Sequence, residues 1–284
     1  MSSLRRTRSW QYLMKMARPF GGLMPQRLYS HLWFQGRFRT KVHGVEFAMH
    51  HTGLALENEV FWRRTFEHER ATVALILPYL RNTQYMFDIG ANTGFFSLLA
   101  KAANPAARVV AVEPSLPNFQ ALENNIQLNA FDISAVRAAV TATKGEVTLY
   151  DFPTISYSAS LDDGWRAGAQ PNKVQGVTLD ALAADYGATG QRVLVKVDVE
   201  GHEVQVLEGA RQLIAWRPTF LIEIIRDHIA RGVTRLLPPD QFRYDFIDEA
   251  SMSTKDVTGD ALAGGTLPFG NYLIRPMDAG SGPS

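Results

Sequence analysis

Cysteine is absent from the 284 residues, which removes disulfides, thiolate metal sites and cysteine nucleophiles from consideration. No apolar run approaches the roughly 18 residues needed to cross a bilayer. The basic start Met1-Ser-Ser-Leu-Arg-Arg precedes no uninterrupted apolar core or small-residue cleavage site. A secretory leader is therefore not expected, and a cytoplasmic location is the default. Acidic residues are missing from the first 45 positions, where nine bases run from Arg5 to Lys41. The other 20 bases face all 28 acids, so a net charge of +1 conceals a cationic arm joined to a body carrying about −8.

What is present is ordinary globular usage, 46% hydrophobic and 20% charged, enough for one large domain with an extension. The reading divides the chain into a basic, aromatic-rich extension over 1–56, a main globular domain over 57–277 and a flexible tail over 278–284. Within residues 1–40 the bases alternate with Trp10, Tyr12, Phe20, Tyr29, Trp33, Phe34 and Phe38. Three uses fit that pattern. The first is a lid or homodimer contact packed on the body. The second is peripheral membrane contact, since Lys/Arg with Trp/Phe suits anionic headgroups. The third is nucleic-acid binding, against which the acidic body argues.

Hydrophobic spacing predicts short helices over 9–17 and 26–35, a hairpin around His43-Gly44 within 41–50, and a helix over 57–80. From Tyr85 the rhythm becomes strand–helix–strand. Strands are expected at 85–89, 108–113, 133–140, 192–199 and 219–225, with helices at 90–101, 116–128, 179–187 and 202–215. A β-insert occupies 145–177, and strands at 244–247 and 271–275 close the chain. The alternation predicts an α/β, Rossmann-like, mostly parallel doubly wound sheet with helices on both faces. The last two strands suggest an antiparallel edge.

The densest signal is Phe87-Asp-Ile-Gly-Ala-Asn-Thr-Gly-Phe-Phe96. A strand ends at Asp88, and Gly90, Ala91, Asn92 and Gly94 form a tight turn opening a helix, where glycine lets backbone approach a ligand. The next strand ends in Glu113, placed to accept ribose hydroxyls at the carboxyl edge of a parallel sheet. The turn lacks the third glycine of a dinucleotide fingerprint and puts Asp88 where a pyrophosphate would be repelled. A sulfonium with an α-ammonium group suits that charge, which favours S-adenosylmethionine over a nicotinamide cofactor.

Asp88-Ile-Gly-Ala-Asn-Thr-Gly-Phe-Phe, Val112-Glu-Pro and Val195-Lys-Val-Asp-Val-Glu-Gly-His-Glu together resemble the FkbM family of methyltransferases, over roughly residues 57–250. The resemblance implies a class I methyltransferase fold, S-adenosylmethionine as cofactor, and O-methylation of sugars, glycolipids or related hydroxyls. By position it implies that Asp88, Gly90, Asn92 and Gly94 line the methionine moiety, Glu113 the ribose, and Ala138-Ala139 the region near the adenine.

The segment Val193-Leu-Val-Lys-Val-Asp-Val-Glu-Gly201 alternates valine with charge, so Lys196, Asp198 and Glu200 share one face. Charges inside a central parallel strand are costly unless paired or placed at the crevice. A Lys196–Glu223 ion pair within the sheet is expected, alongside a direct catalytic role for Lys196 as the competing reading. Methyl transfer to an alcohol needs a base to take its proton. Asp198 is the first candidate, ahead of Glu200 and His202, and it also suits the cofactor's ammonium group. No resident metal is expected, because Asp198, Glu200, His202 and Glu203 crowd one strand end without a distant partner. Ser156, Tyr157, Ser158, Ser160, Asp162, Asp163 and Trp165 suit a saccharide-binding loop. The expected function is O-methylation of a sugar, glycolipid or related acceptor. RNA or protein methylation, or a non-catalytic cofactor-binding module, are the alternatives.

Overall fold

In the computed structural model the expected alternation builds an eight-stranded sheet flanked by helices. The structure describes residues 4–152, 159–161, 167–188, 192–257 and 267–277. The N-terminal region contributes α1 (Arg8–Ala17), a 3-10 segment (Arg18–Leu23), the single turn α2 (Gln26–Tyr29) and a hairpin of β1 (Gly36–Val42) and β2 (Val45–His51). Then come α3 (Ala55–Arg63), α4 (Arg70–Asn82), β3 (Tyr85–Ile89), α5 (Phe95–Ala103), β4 (Arg108–Val112), α6 (Leu116–Asn129) and β5 (Ile133–Val136). A small sheet uses β6 (Ala139–Val140), β7 (Gly145–Asp151) and β8 (Gln170–Val177). The chain ends with α7 (Leu179–Asp185), β9 (Val193–Val197), α8 (Glu203–Glu208), α9 (Arg211–Ala215), β10 (Thr219–Ile224), α10 (Asp227–Leu236), β11 (Phe242–Asp248), β12 (Ser253–Val257) and β13 (Gly270–Pro276).

The order β12-β11-β13-β10-β9-β3-β4-β5 is parallel from β10 to β5 and antiparallel from β10 to β12. Strand β13 inserts between β10 and β11, so the antiparallel part is three strands wide rather than one closing pair. The chain winds from β3 to β5 on one side and returns to β9 on the other, leaving the switch point at β3, where such sheets hold ligands. Period 2 sends Met86, Val109, Leu194 and Leu221 into one core and Phe87, Val110, Val195 and Phe220 into the other. The first core also takes in Phe34, Phe38, Phe47 and Phe61.

Several expected boundaries differ for local reasons. The 57–80 helix is two, because Arg64 adopts a left-handed conformation (φ 61°) that ends α3. The 133–140 strand divides at Arg137-Ala138, its first part pairing with β4 and its second with β8. The 202–215 helix breaks at Gly209-Ala210. Only one turn of the expected helix over 26–35 forms, and the hairpin extends back to Gly36. Helix α10 and edge strand β12 were not anticipated.

The N-terminal hairpin is fastened to the sheet domain by side-chain amides. Asn129 of α6 accepts from Ala48 N (2.7 Å) and donates to Ala48 O (2.8 Å), pairing backbone groups on the free edge of β2. Asn125 accepts from His50 N (2.7 Å) and donates to Thr93 O in the turn after β3 (2.8 Å). The hairpin thus touches the segment that carries the glycine turn. At the far end of the chain, Glu249 accepts from Ala71 N and Thr72 N at 2.6 and 2.9 Å, capping α4.

Candidate active site

The carboxyl ends of β3, β4, β9 and β10 open into one cavity, whose wall is completed by Leu149, Ala159 and Ser160 of the insert. Gly90, Ala91, Asn92, Glu113, Ala139, Lys196, Asp198, Glu200 and His202 all line it. Residues from four separate stretches of sequence therefore meet. Asp88 and Gly94 do not line it. Asp88 is buried and accepts from Ser97 Oγ (2.6 Å), with Lys196 opposite it in the β3–β9 register. Burial raises its pKa above the ordinary aspartate value, with Lys196 and Ser97 opposing.

The two glycines serve the protein's own packing. Gly90 has φ +81°, and a Cβ there would lie 1.8 Å from the Asp198 carbonyl oxygen. A Cβ on Gly94, at φ +94°, would meet Leu122 of α6 at 2.5 Å. These positions let the β9 end and α6 close on the turn, so glycine is required before any ligand is considered.

Glu113 is held by three donors. Its Oε2 accepts from Asn92 N (2.8 Å), and its Oε1 from Ser115 N (2.9 Å) and Asn118 Nδ2 (3.5 Å). Burial pushes its pKa up to about 7, against the lowering effect of these donors. Each carboxylate oxygen has more than one lone-pair direction, so acceptor capacity remains for hydroxyls in the cavity.

Lys196 projects beneath the first core's face of the sheet, 4.9 Å from the Phe96 ring centroid. Its ammonium donates to Asp198 Oδ2 at 2.9 Å. The expected Lys196–Glu223 ion pair is not formed. In the β9–β10 register Lys196 stands opposite Leu221, which carries Glu223 two residues further, beside Asp198 rather than Lys196. Burial pulls the Lys196 pKa down, but Asp198, Asp88 and Glu69 outweigh it and hold the ammonium charged.

Glu69 is the site residue the sequence did not disclose. It precedes α4 and lines the same cavity, and its Oε2 is sealed from solvent without a hydrogen-bond partner. Burial pushes its pKa up to about 8; Lys196 opposes this, and Asp198, Glu249 and Asp88 add to it. Glu223 is likewise pushed up to about 8, by burial and then by Asp198, Glu69 and Glu200. Glu69 is 19 residues before the nearest motif residue, Asp88, and only the fold of α3 and α4 brings it in. Ser160 Oγ donates to the Glu200 carbonyl oxygen (3.1 Å), joining the insert to the strand end. The rest of the expected saccharide-binding loop, Ser156 to Ser158 and Asp162 to Trp165, lies outside the described residues.

Five carboxyl groups line the cavity (Glu69, Glu113, Asp198, Glu200 and Glu223) against the single ammonium of Lys196. Burial raises three of the five, Glu69, Glu113 and Glu223, so the site carries less charge near neutral pH than that count, but it remains rich in acceptors for a cationic ligand, while Ala138, Ala139, Val140 and Leu149 provide an apolar wall for a flat ring. Among the described residues no cluster of His, Asp and Glu is arranged to hold a metal ion.

Residues 88–250, more than half of the chain, match the FkbM methyltransferase domain. The chain belongs to this family. It is a methyltransferase, and its cofactor is S-adenosylmethionine. Among its curated relatives, the hexuronic acid methyltransferase AglP of Haloferax volcanii is 24% identical over 63% of this chain and 72% of its own. The methyltransferase sdnD of Sordaria araneosa is 28% identical over 57% of this chain and 80% of its own. A solved FkbM methyltransferase from Methylobacillus flagellatus superposes with a TM-score of 0.40 at 14% identity, covering 78% of this chain and 55% of that one. In this FkbM domain the match begins at Asp88, so Glu69, α3 and the N-terminal hairpin stand outside it.

The residues present fit the cofactor. The net negative wall suits a sulfonium and an α-ammonium, the Glu113 carboxylate suits a ribose diol, and the apolar face beside Ala139 suits an adenine. S-adenosylmethionine supplies an electrophilic methyl group. The protein's contribution is positioning and exclusion of water.

Proposed function

We propose that this methyltransferase transfers the methyl group to a hydroxyl of a saccharide, glycolipid or related acceptor. The carrying observation is that Asp198, Glu69 and Glu223 flank the cavity edge beside Lys196, giving carboxylates within one site to accept a hydroxyl proton. The hexuronic acid acceptor named for AglP supports the same substrate class. Among the cofactor contacts, Glu113 holds the ribose hydroxyls. Gly90, Ala91 and Asn92 shape the wall around the methionine portion, and Ala139 lies against the adenine. Asp88, Gly94 and Ser97 position that turn from beneath.

Asp198 is the first base candidate, with Glu200 and His202 at the same strand end. Lys196 orients it across the 2.9 Å ion pair. Glu69 and Glu223 line the same cavity, and both are pushed up to about 8, a value suited to proton transfer near neutral pH. Lys196 fixes the geometry of Asp198 as the base, and the raised pair is the second reading for the group that receives the proton. Residues 57–277 form the catalytic domain. Residues 1–56 serve as an extension whose aromatics are shared between packing on that domain and contact with a membrane surface.

The test is labelled-methyl transfer to cell-extract fractions separated into lipid, polysaccharide, RNA and protein. Label in the saccharide or lipid fraction is expected. Label confined to RNA or protein would replace the acceptor class, and no transfer to any fraction by protein that binds the cofactor would leave only a binding module. Asp198→Asn is expected to keep cofactor affinity within a few-fold and lose turnover by two orders of magnitude or more.

A further inference from the structure

The exposed large apolar side chains are unevenly distributed. Leu4, Tyr12, Leu13, Met16, Phe20, Leu23 and Leu28 are seven of the ten found among the described residues, and all fall in the first 28 positions. No acid occurs in this stretch. Its buried members, Met14, Gly21 and Tyr29, face the first core, so the segment is docked by one side and bare on the other. Monomeric proteins seldom leave such a patch uncovered.

The 3-10 segment Arg18–Leu23 is where this patch meets a second feature. Its Pro19 and Gly22 form one wall of a cavity of about 450 Å³, whose other walls carry Arg18, His43, Arg63, Arg64 and Arg70 against one acid, Glu67. Two of these cations are fixed. Arg18 donates to the carbonyl oxygens of Phe61 (2.6 Å) and Arg39 and stacks on Phe61. Arg63 donates to Gly22 O and Met24 O at 2.9 and 2.8 Å, clamping the segment onto α3, while its buried Nε–H has no acceptor. Arg64 and Arg70 are exposed. The cations repel one another: Arg18 is held down at about 10 by burial and then by Arg64, and burial and Arg70 lower His43. A phosphate would relieve that repulsion. Phe20 and Leu23, 62% and 85% exposed, share the turn that walls the cavity.

We propose that this cavity seats the phosphate headgroup of an anionic bilayer lipid, with Phe20 and Leu23 entering the acyl boundary beside it. The inference rests on the membrane-contact reading above and adds a defined headgroup site. It assigns the basic arm a local function: the protein docks by the turn after α1 rather than by diffuse attraction alone. Apolar insertion and charge attraction are the two components by which interfacial segments bind. The fixed arginines provide a third, a geometry that favours a phosphate oxygen over a general negative surface.

The test is sedimentation of the full chain with phosphatidylcholine vesicles, with and without phosphatidylglycerol. Wild-type protein is expected to pellet with the anionic vesicles only. Phe20→Ser/Leu23→Ser should weaken binding by about tenfold or more, and Arg64→Gln/Arg70→Gln by more than about twentyfold, at roughly fivefold per basic residue. Arg27→Gln/Arg37→Gln, removing equal charge outside the cavity, should weaken it several-fold less than the Arg64/Arg70 pair. All six side chains are exposed, so unchanged circular dichroism is expected. Equal losses for the two arginine pairs would overturn the headgroup seat and leave the membrane contact standing. Failure of wild-type protein to bind anionic vesicles would overturn both.

Discussion

Lys196 stands among carboxyl groups that would be untenable without it. Its ammonium pairs with Asp198 and lowers the pKa values of Asp88 and Glu69, which burial otherwise raises. Breaking a buried pair by removing one partner costs about 3–5 kcal/mol. Lys196→Met is expected to lose stability of that order in urea melts at neutral pH. The deficit should shrink as pH falls and the orphaned carboxylates take up protons, because a group with a raised folded-state pKa is best tolerated in its neutral form. A deficit independent of pH would mean that Lys196 acts through packing on Phe96 alone. Catalysis carries its own pH signature. If the raised carboxyls receive the acceptor's proton, turnover rises as pH passes about 8, and Glu69→Gln flattens or displaces that limb. A profile with no limb near 8 would remove Glu69 and Glu223 as the base.

At the scale of elements, the turn between β3 and α5 depends on close approach. The Asp198 carbonyl occupies the space of a Cβ on Gly90, which also has φ +81°. Gly90→Ala must displace either the turn or the β9 end, and both carry cavity residues. A destabilisation of about 1–3 kcal/mol is expected, together with loss of cofactor binding at temperatures where the variant is still folded. Unaltered binding would show that the site tolerates a shift that the geometry forbids. Motifs made this region legible from sequence. Phe87–Phe96, Val112-Glu-Pro and Val195–Glu203 each sit on a strand end, so recognising the strands placed most of the cavity wall.

Element boundaries were less legible where a single backbone conformation decided them. Arg64 at φ 61° divides what reads as one helix, and nothing in its side chain announces a left-handed residue. Helix α10 is hard to read from sequence because only Ile229, Ala230 and Val233 of its ten residues are buried. The expected Lys196–Glu223 pair failed for a geometric reason: adjacency of two strands does not specify register, and a displacement of two residues moved Glu223 next to Asp198. Glu69 was invisible because a lone glutamate between two helices has no pattern of its own.

The whole molecule joins its cationic arm to its acidic body through packing rather than charge. Phe34, Phe38 and Phe61 form edge-to-face contacts with centroids 4.9 to 6.5 Å apart, and Trp10 and Trp62 donate to the carbonyl oxygens of Trp33 and Leu32. Removal of residues 1–40 would strip Phe34, Phe38 and most of β1 from this core. The truncated chain is expected to melt at markedly lower temperature, since each lost buried phenylalanine costs about 3–5 kcal/mol. An unchanged melting temperature would make the arm an appendage. Among the described residues no helix is long and apolar enough to cross a membrane.

Calorimetric titration with S-adenosylmethionine, comparing wild-type protein with Glu113→Gln across neutral pH, tests the central claim most directly. Glu113 is pushed up to about 7, so its carboxylate form predominates above that value; if it accepts the ribose hydroxyls, it does so more strongly there. Wild-type affinity is therefore expected to rise as pH increases from about 6 to 8, and Glu113→Gln should bind about tenfold or more weakly at the upper end without that dependence. Absence of binding by folded wild-type protein, or equal affinity in Glu113→Gln at both ends of the range, would contradict the placement of the cofactor in this cavity.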